Sequence, residues 1–279
     1  MELSKFEVDA ILTNALEEDL GAGDITTNLT VSESAVSEGK FIAKEDGIIC
    51  GLFVAARVFA LVDDSVVFNP IANEGASVKK GDLIAEVKGK SRSILIGERT
   101  ALNFLQRMSG IAARTADAVR QVAGTAAHIA DTRKTTPGLR IFEKYAVRVG
   151  GGSNHRYNLA DGILIKDNHI AAAGGIYAAV TAAKLNAPHT LKVEVECESI
   201  ADVNEALRAK ADIIMLDNMT NEMMSEAVKL IAGRAVTEAS GNMGDKSLRE
   251  AALTGVDIIS IGALTHTVKC MDISLKFAK

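Results

Sequence analysis

The chain has no tryptophan, and only 4% of its 279 residues are aromatic. That argues against the platforms on which nucleic-acid bases stack. Cysteine is scarce too. Cys50, Cys197 and Cys270 are odd in number, far apart and match no zinc spacing, so they read as reduced structural thiols of a cytosolic protein. No apolar run fits a bilayer. The most apolar window, Gly47 to Val62, is too short to span one and carries Arg57. The opening stretch MELSKFEVDAILTNALEEDLG is acidic and amphipathic, unlike a signal peptide, so a cytoplasmic location is expected. Net positive charge is lacking as well. Lys and Arg number 31 against 36 Asp and Glu, a balance of −5. Nonspecific binding to nucleic acid is therefore disfavoured, and any anion site must be a local concentration of cations.

What is present suits a globular protein. Hydrophobic residues make up 48% and charged residues 24%. The length allows one large α/β domain or two, with a sizeable core. The first hundred residues read as α+β. Phe6, Val8, Ile11, Leu12, Ala15 and Leu16 have helical spacing, and Gly51–Val62 reads as a second helix. GKFIAKEDGIIC, SVVFNP, ASVKKGDLIAEVKG and SRSILI read as short strands between Gly, Asn and Pro punctuation. EGASVKKGDLIAEVKG resembles the hairpin of lipoyl or biotinyl carriers. The flanking Met-Lys signature is absent, so a plain β-meander is expected. Gly97 to Gly124 reads as a long amphipathic helix, with Ser109–Gly110 as the point where it could break.

The remainder has a rhythm. Apolar strand candidates occur at Ala127–Ala130, Ile163–Ile165, Val193–Val195, Ile213–Leu216, Ala235–Thr237 and Ile258–Ile261. Helical stretches lie between them, such as SIADVNEALRAK with Ser199 as N-cap and KSLREAALTG ending at Gly255. Such units imply a parallel sheet, open or closed into a barrel. The residues after each strand favour the barrel, whose chemistry sits at the carboxyl ends of its strands. The early ends supply the cations Arg133, Lys134 and Lys166, and the loop VGGGSNHRYN adds His155 and Arg156. The middle ends supply Glu196 and Asp217. The last two, SGN and IGA, are Gly-containing turns, each expected to open a helix whose N–H groups bind phosphate. Glu194 and Glu196 alternate on one strand and need a cation or metal if buried. His169 reads as a solvated loop residue, and His128, His189 and His266 as structural. The implied ligands are a polyanion and a phosphate, with Mg²⁺ bridging carboxylates to phosphate oxygens. That describes phosphoryl or pyrophosphoryl sugar chemistry. Two other readings stand beside it: a Schiff-base aldolase using Lys166, and a non-enzymatic sensor or carrier of a phosphate ligand.

GERTALNFLQRMSGIA, DTRKTTPGLR, EKYAVRVGGGSNHRYNLADGILIKDNHI, VEVE, IIMLDNM, EASGN and GVDIISIGALTH together resemble the quinolinate phosphoribosyltransferase family over nearly the whole chain. The resemblance implies transfer of a phosphoribosyl group from phosphoribosyl pyrophosphate to quinolinate with loss of CO₂, giving nicotinate mononucleotide in de novo NAD biosynthesis. It implies an incomplete β/α barrel over residues 108–267. An N-terminal open-faced α+β sandwich would cover 1–107, with 268–279 returning to it. It implies that Arg133, His155, Arg156 and Lys166 contact the quinolinate carboxylates, with Thr132 nearby. Arg99 would reach the neighbouring subunit's site in a homodimer or higher homo-oligomer. Lys134, Glu196 and Asp217 would carry catalysis, Lys134 at the pyrophosphoryl donor and the two carboxylates at the ribose hydroxyls and Mg²⁺. Ser240, Gly241 and Asn242, with Gly262, Ala263 and Leu264, would cradle the 5′-phosphate. The family often has Gly where Asn242 stands, which leaves its backbone N–H to serve. No organic cofactor is implied.

Overall fold

In the computed structural model, which describes residues 3–277, the chain opens with helices α1 (Lys5–Leu20) and α2 (Ile25–Thr30). Strands β1 (Val36–Ala43) and β2 (Gly47–Ile48), helix α3 (Leu52–Val62) and strands β3 (Val67–Pro70), β4 (Ser77–Val78) and β5 (Leu83–Lys90) follow. Next come α4 (Ser91–Gln121), β6 (His128–Ala130), α5 (Arg140–Val149), β7 (Ile163–Ile165), α6 (Asp167–Ala173) and α7 (Ile176–Asn186). The rest alternates: β8 (Val193–Cys197), α8 (Ile200–Arg208), β9 (Ile213–Asp217), α9 (Asn221–Ile231), β10 (Val236–Ser240), α10 (Leu248–Leu253), β11 (Ile258–Ser260), α11 (Ala263–His266) and β12 (Ile273–Phe277).

Contacts divide the chain into two compact units. One is Met1–Ala116 with Thr136–Gly151 and Thr267–Lys279; the other is Asp117–Thr135 with Gly152–His266. In the first, an antiparallel sheet runs β12-β1-β5-β3. Phe41 on β1, Phe59 on α3 and Phe68 on β3 form an aromatic cluster with centroids 5.4–6.1 Å apart. The strands β4 and β5 do not form a carrier-like hairpin. β4 pairs with β2, while β5 pairs with β1 and β3.

Two sequence expectations change here. SRSILI is not a strand but the first turns of α4. Ser91, Ile94, Gly97 and Ala101 are buried, which continues the helical period through the rest of α4. A short apolar run cannot by itself separate the two forms. Nor does α4 break at Ser109–Gly110, so the boundary expected at 107/108 falls inside a continuous helix. The Ser109 hydroxyl accepts from the Cys50 N–H at 3.0 Å. A Cβ at Gly110 would lie 3.2 Å from Cys270 Cα. The glycine therefore admits a close backbone approach rather than ending the helix.

The second unit carries a parallel six-stranded sheet, ordered β6-β11-β10-β9-β8-β7. This is the incomplete β/α barrel. β6 and β7 are successive strands, yet they stand at opposite edges. Along the free edge of β6 runs the loop before β7, where Ser153 bridges Ala130 in parallel. Two aspartates tie the strands at their amino ends. Asp212 Oδ2 accepts from the Val193 N–H at 2.7 Å, and Asp257 Oδ2 accepts from the Thr237 N–H at 2.8 Å. Ser199 caps α8 by accepting from the Asp202 N–H. Among the described residues no helix is long and apolar enough to cross a membrane. The three cysteines are free; Cys50 and Cys197 are buried, whereas Cys270 is exposed.

Candidate active site

Side chains on a strand alternate between faces, and the second unit's strands use one face to line its interior. β8 contributes Glu194 and Glu196, β9 Ile213, Met215 and Asp217, and β10 Glu238 and Ser240. At the carboxyl ends Glu196, Met215, Asp217, Glu238 and Ser240 help to enclose a cavity of about 540 Å³. It brings together Thr132, Arg133, Lys134, His155, Arg156, Lys166, Glu196, Asp217, Ser240, Gly241 and Asn242. Gly262, Ala263 and Leu264 are not among its lining residues, and the Leu264 side chain is buried in the core. Gly262 still adjoins the site, because a Cβ there would lie 2.9 Å from Lys134 Cδ. Arg99 belongs to the first unit, exposed on α4.

The turn after β6 is held from two sides. Thr132 Oγ1 accepts from the Lys134 N–H at 3.0 Å, and the Thr265 hydroxyl donates to the Lys134 carbonyl at 2.7 Å. The Lys166 ammonium pairs with the Glu196 carboxylate. Burial, then the neighbouring Arg133, press the Arg156 guanidinium below its ordinary pKa, while Glu194 and Glu196 oppose this. His169 is a cap rather than a free loop residue: its Nδ1 accepts from the Lys166 N–H at 3.0 Å.

The turn after β10 has unusual backbone. Gly241 has φ +89°, and a Cβ there would lie 2.6 Å from the Asn218 backbone nitrogen. Asn218 and Asn242 are themselves left-handed, at φ +54° and +53°. Strained backbone of this kind marks functional turns. The segment does not open a helix, as the SGN motif suggests. Residues 243–247 separate it from α10, and Ser247 is the N-cap.

Beneath the cavity lies a buried polar layer that sequence reasoning left out of the site. Asp131, Glu194 and Glu238 are 0%, 4% and 2% exposed. His155 Nε2 lies 3.2 Å from Glu194 Oε2 and 3.6 Å from Glu238 Oε1. The ligand atoms of these three residues lie within 4.8 Å of one another, a grouping that could also hold a cation. Burial, then the adjacent Glu194, push the Glu238 carboxyl up to about 7. His155, Arg156 and Glu238 also line a second cavity of about 530 Å³ at the strands' amino ends, so the layer partitions the interior. The VEVE alternation signalled Glu194, and Asp131 was visible as the first residue after a strand. Nothing local in EASGN signalled the burial of Glu238.

Known proteins match the chain throughout. Residues 24–109 match the family model "Quinolinate phosphoribosyl transferase, N-terminal domain", and residues 111–276 match its C-terminal counterpart. A probable nicotinate-nucleotide pyrophosphorylase [carboxylating] of Bacillus subtilis is 43% identical over 273 residues, covering 98% of this chain and 94% of that protein. Quinolinate phosphoribosyltransferase [decarboxylating] 1b of Nicotiana tabacum is 44% identical over 293 residues, covering 97% and 82%. The structure of the nicotinate-nucleotide pyrophosphorylase from Francisella tularensis superposes with a TM-score of 0.94 at 41% identity, covering 99% and 98%.

Proposed function

The chain belongs to the quinolinate phosphoribosyltransferase family, and from that premise we propose how its own residues perform the reaction. The enzyme is a decarboxylating pentosyltransferase of de novo NAD biosynthesis. It joins quinolinate to the ribosyl carbon of phosphoribosyl pyrophosphate, releasing pyrophosphate and CO₂ and giving nicotinate mononucleotide. One observation carries the assignment of residues: the four cations Arg133, Lys134, Arg156 and Lys166 converge with the carboxylates Glu196 and Asp217 on one cavity, beside a strained glycine turn.

Quinolinate carries two adjacent carboxylates, so several cations must meet it at once. Arg133, Arg156 and Lys166 serve this role, with Thr132 and His155 beside them. Arginine suits carboxylates through its paired donors, and each charge-assisted bond contributes roughly 1.5–3 kcal/mol. Lys134 faces the pyrophosphoryl donor. As pyrophosphate leaves, the ribose takes on oxocarbenium character, which Glu196 and Asp217 stabilise electrostatically. The pyridine nitrogen attacks the ribosyl carbon and becomes cationic. That ring charge then stabilises the electron pair left on the adjacent ring carbon as its carboxylate departs as CO₂, and a proton from solvent takes the carboxylate's place. Ser240, Gly241 and Asn242, with the backbone of Gly262, Ala263 and Leu264, hold the 5′-phosphate. Positioning and charge do the work, with no protein nucleophile and no organic cofactor.

The donor set at the rim fits Mg²⁺. Glu196 and Asp217 offer hard oxygen ligands, and one or two carboxylates with substrate phosphates are its usual partners. When bound, the ion neutralises the pyrophosphate. In our reading Arg99 serves the site of a second subunit, so the enzyme works as a homodimer or a higher homo-oligomer in the cytoplasm. The test is a comparison of acids. Purified protein with phosphoribosyl pyrophosphate and Mg²⁺ should turn over quinolinate and not nicotinate. Preference for nicotinate, or turnover of neither acid, overturns the reading.

A further inference from the structure

The mechanism uses Glu196 but leaves over the other carboxylate of VEVE. Glu194, Glu238 and Asp131 are each more than nine-tenths buried. Buried carboxylates are costly unless they meet donors, and these three converge on one residue. Asp131 Oδ1 accepts from the His155 N–H at 2.8 Å, and Asp131 Oδ2 accepts from Asn154 Nδ2 at 2.7 Å. Glu194 and Glu238 face His155 Nε2. On its other side, the ring accepts: Nδ1 takes the Arg156 N–H at 2.7 Å. A nitrogen that accepts carries no proton, so the network assigns the proton to Nε2, pointed at Glu194. Both ring nitrogens are thus directed at protein groups. Arg156 is fixed at its far end too, where Nη1 donates to the Gly162 carbonyl at 2.9 Å.

We propose that Asp131, Glu194 and Glu238 are positioning residues that act through His155 to fix Arg156 at the substrate cavity. This rests on the quinolinate reading and refines it: His155 works by orienting its neighbour rather than by touching a substrate carboxylate. Glu194 holds the imidazole at Nε2 with Glu238 beside it, Asp131 holds the His155 main chain, the imidazole pins the Arg156 main chain, and the guanidinium is held where a dicarboxylate arrives. Pre-set geometry of this kind lowers the cost of ordering a binding group.

The test is a split of kinetic constants. Glu194→Ala should raise KM for quinolinate about tenfold, leaving KM for phosphoribosyl pyrophosphate and kcat within about twofold. Glu194→Gln keeps an oxygen that accepts from Nε2–H, so its KM should return to within about threefold of the wild-type value. If Glu194→Ala does not fold, Asp131→Ala, which removes the acceptor of the His155 N–H, is measured on the same readout, with the same expectation. An unchanged quinolinate KM overturns the proposal. So does an equal rise in both KM values, or a fall in kcat alone. Wild-type turnover of quinolinate is the control, and its absence would instead fell the functional reading on which this one stands.

Discussion

At the residue scale, the buried Glu238 offers a direct test. Burial and Glu194 raise its carboxyl to about 7, against a smaller opposing pull from His155 and a hydrogen bond from Ser260. A raised carboxyl favours the fold while it keeps its proton. That contribution is fully present below the ordinary value of 4.5 and is lost as pH rises through about 7. Its size follows from the shift, about 3 kcal/mol. Glu238→Gln mimics the protonated acid at every pH. Denaturant melts should therefore show the two proteins alike near pH 4.5, with the variant's advantage growing between pH 4.5 and about 7 and staying level above that. A gap that stays constant with pH would mean that Glu238 does not titrate in this window.

The same residues show how far the site was legible in the chain. Lys134 and Lys166 stand just past apolar strands, and Glu196 and Asp217 at the carboxyl ends of theirs, where a parallel sheet presents its chemistry, and the cavity lining includes all four. His155 and its carboxylate partners were harder to read. The VEVE alternation flags Glu194, but Glu238 looks ordinary in its own stretch. Only the packing of β8 beside β9 and β10 lets Glu194 and Glu238 share one imidazole.

At the element scale, the strand order is held partly by a repeated device. The stretches ADIIM and VDIIS each place an aspartate just before a strand. Its carboxylate takes an N–H from the neighbouring strand. Asp257 adds a second bond, from the Thr237 hydroxyl at 2.7 Å. Asp257→Ala removes both acceptors from a partly buried site. It should cost about 1–3 kcal/mol in a denaturant melt, and an unchanged midpoint would show that water replaces the carboxylate freely. The sequence rhythm revealed these strands because parallel strands are apolar on both faces. It misread SRSILI, where a short apolar run opens a helix, and the SGN turn. There the phosphate-binding role suggested a helix start that the chain reaches only after Ser247.

At the scale of the whole molecule, the acidic balance of −5 and the cation cluster are compatible, because the cations gather in the one cavity that the proposed site uses for its anions. The expected role of Arg99 makes the assembly testable. Arg99→Ala and Arg133→Ala should each be nearly inactive alone. Mixed and allowed to exchange subunits, they should regain activity, since a heterodimer would hold one site with both arginines intact. No recovery after demonstrated exchange would confine the site to a single chain.

The central claim is that one cavity couples pyrophosphate release to decarboxylation. The most direct measurement follows both products from quinolinate labelled at the carboxylate beside the ring nitrogen. The account predicts CO₂ and pyrophosphate in equal amounts, with nicotinate mononucleotide matching both. Pyrophosphate without CO₂, or a nucleotide that keeps the label, would contradict it.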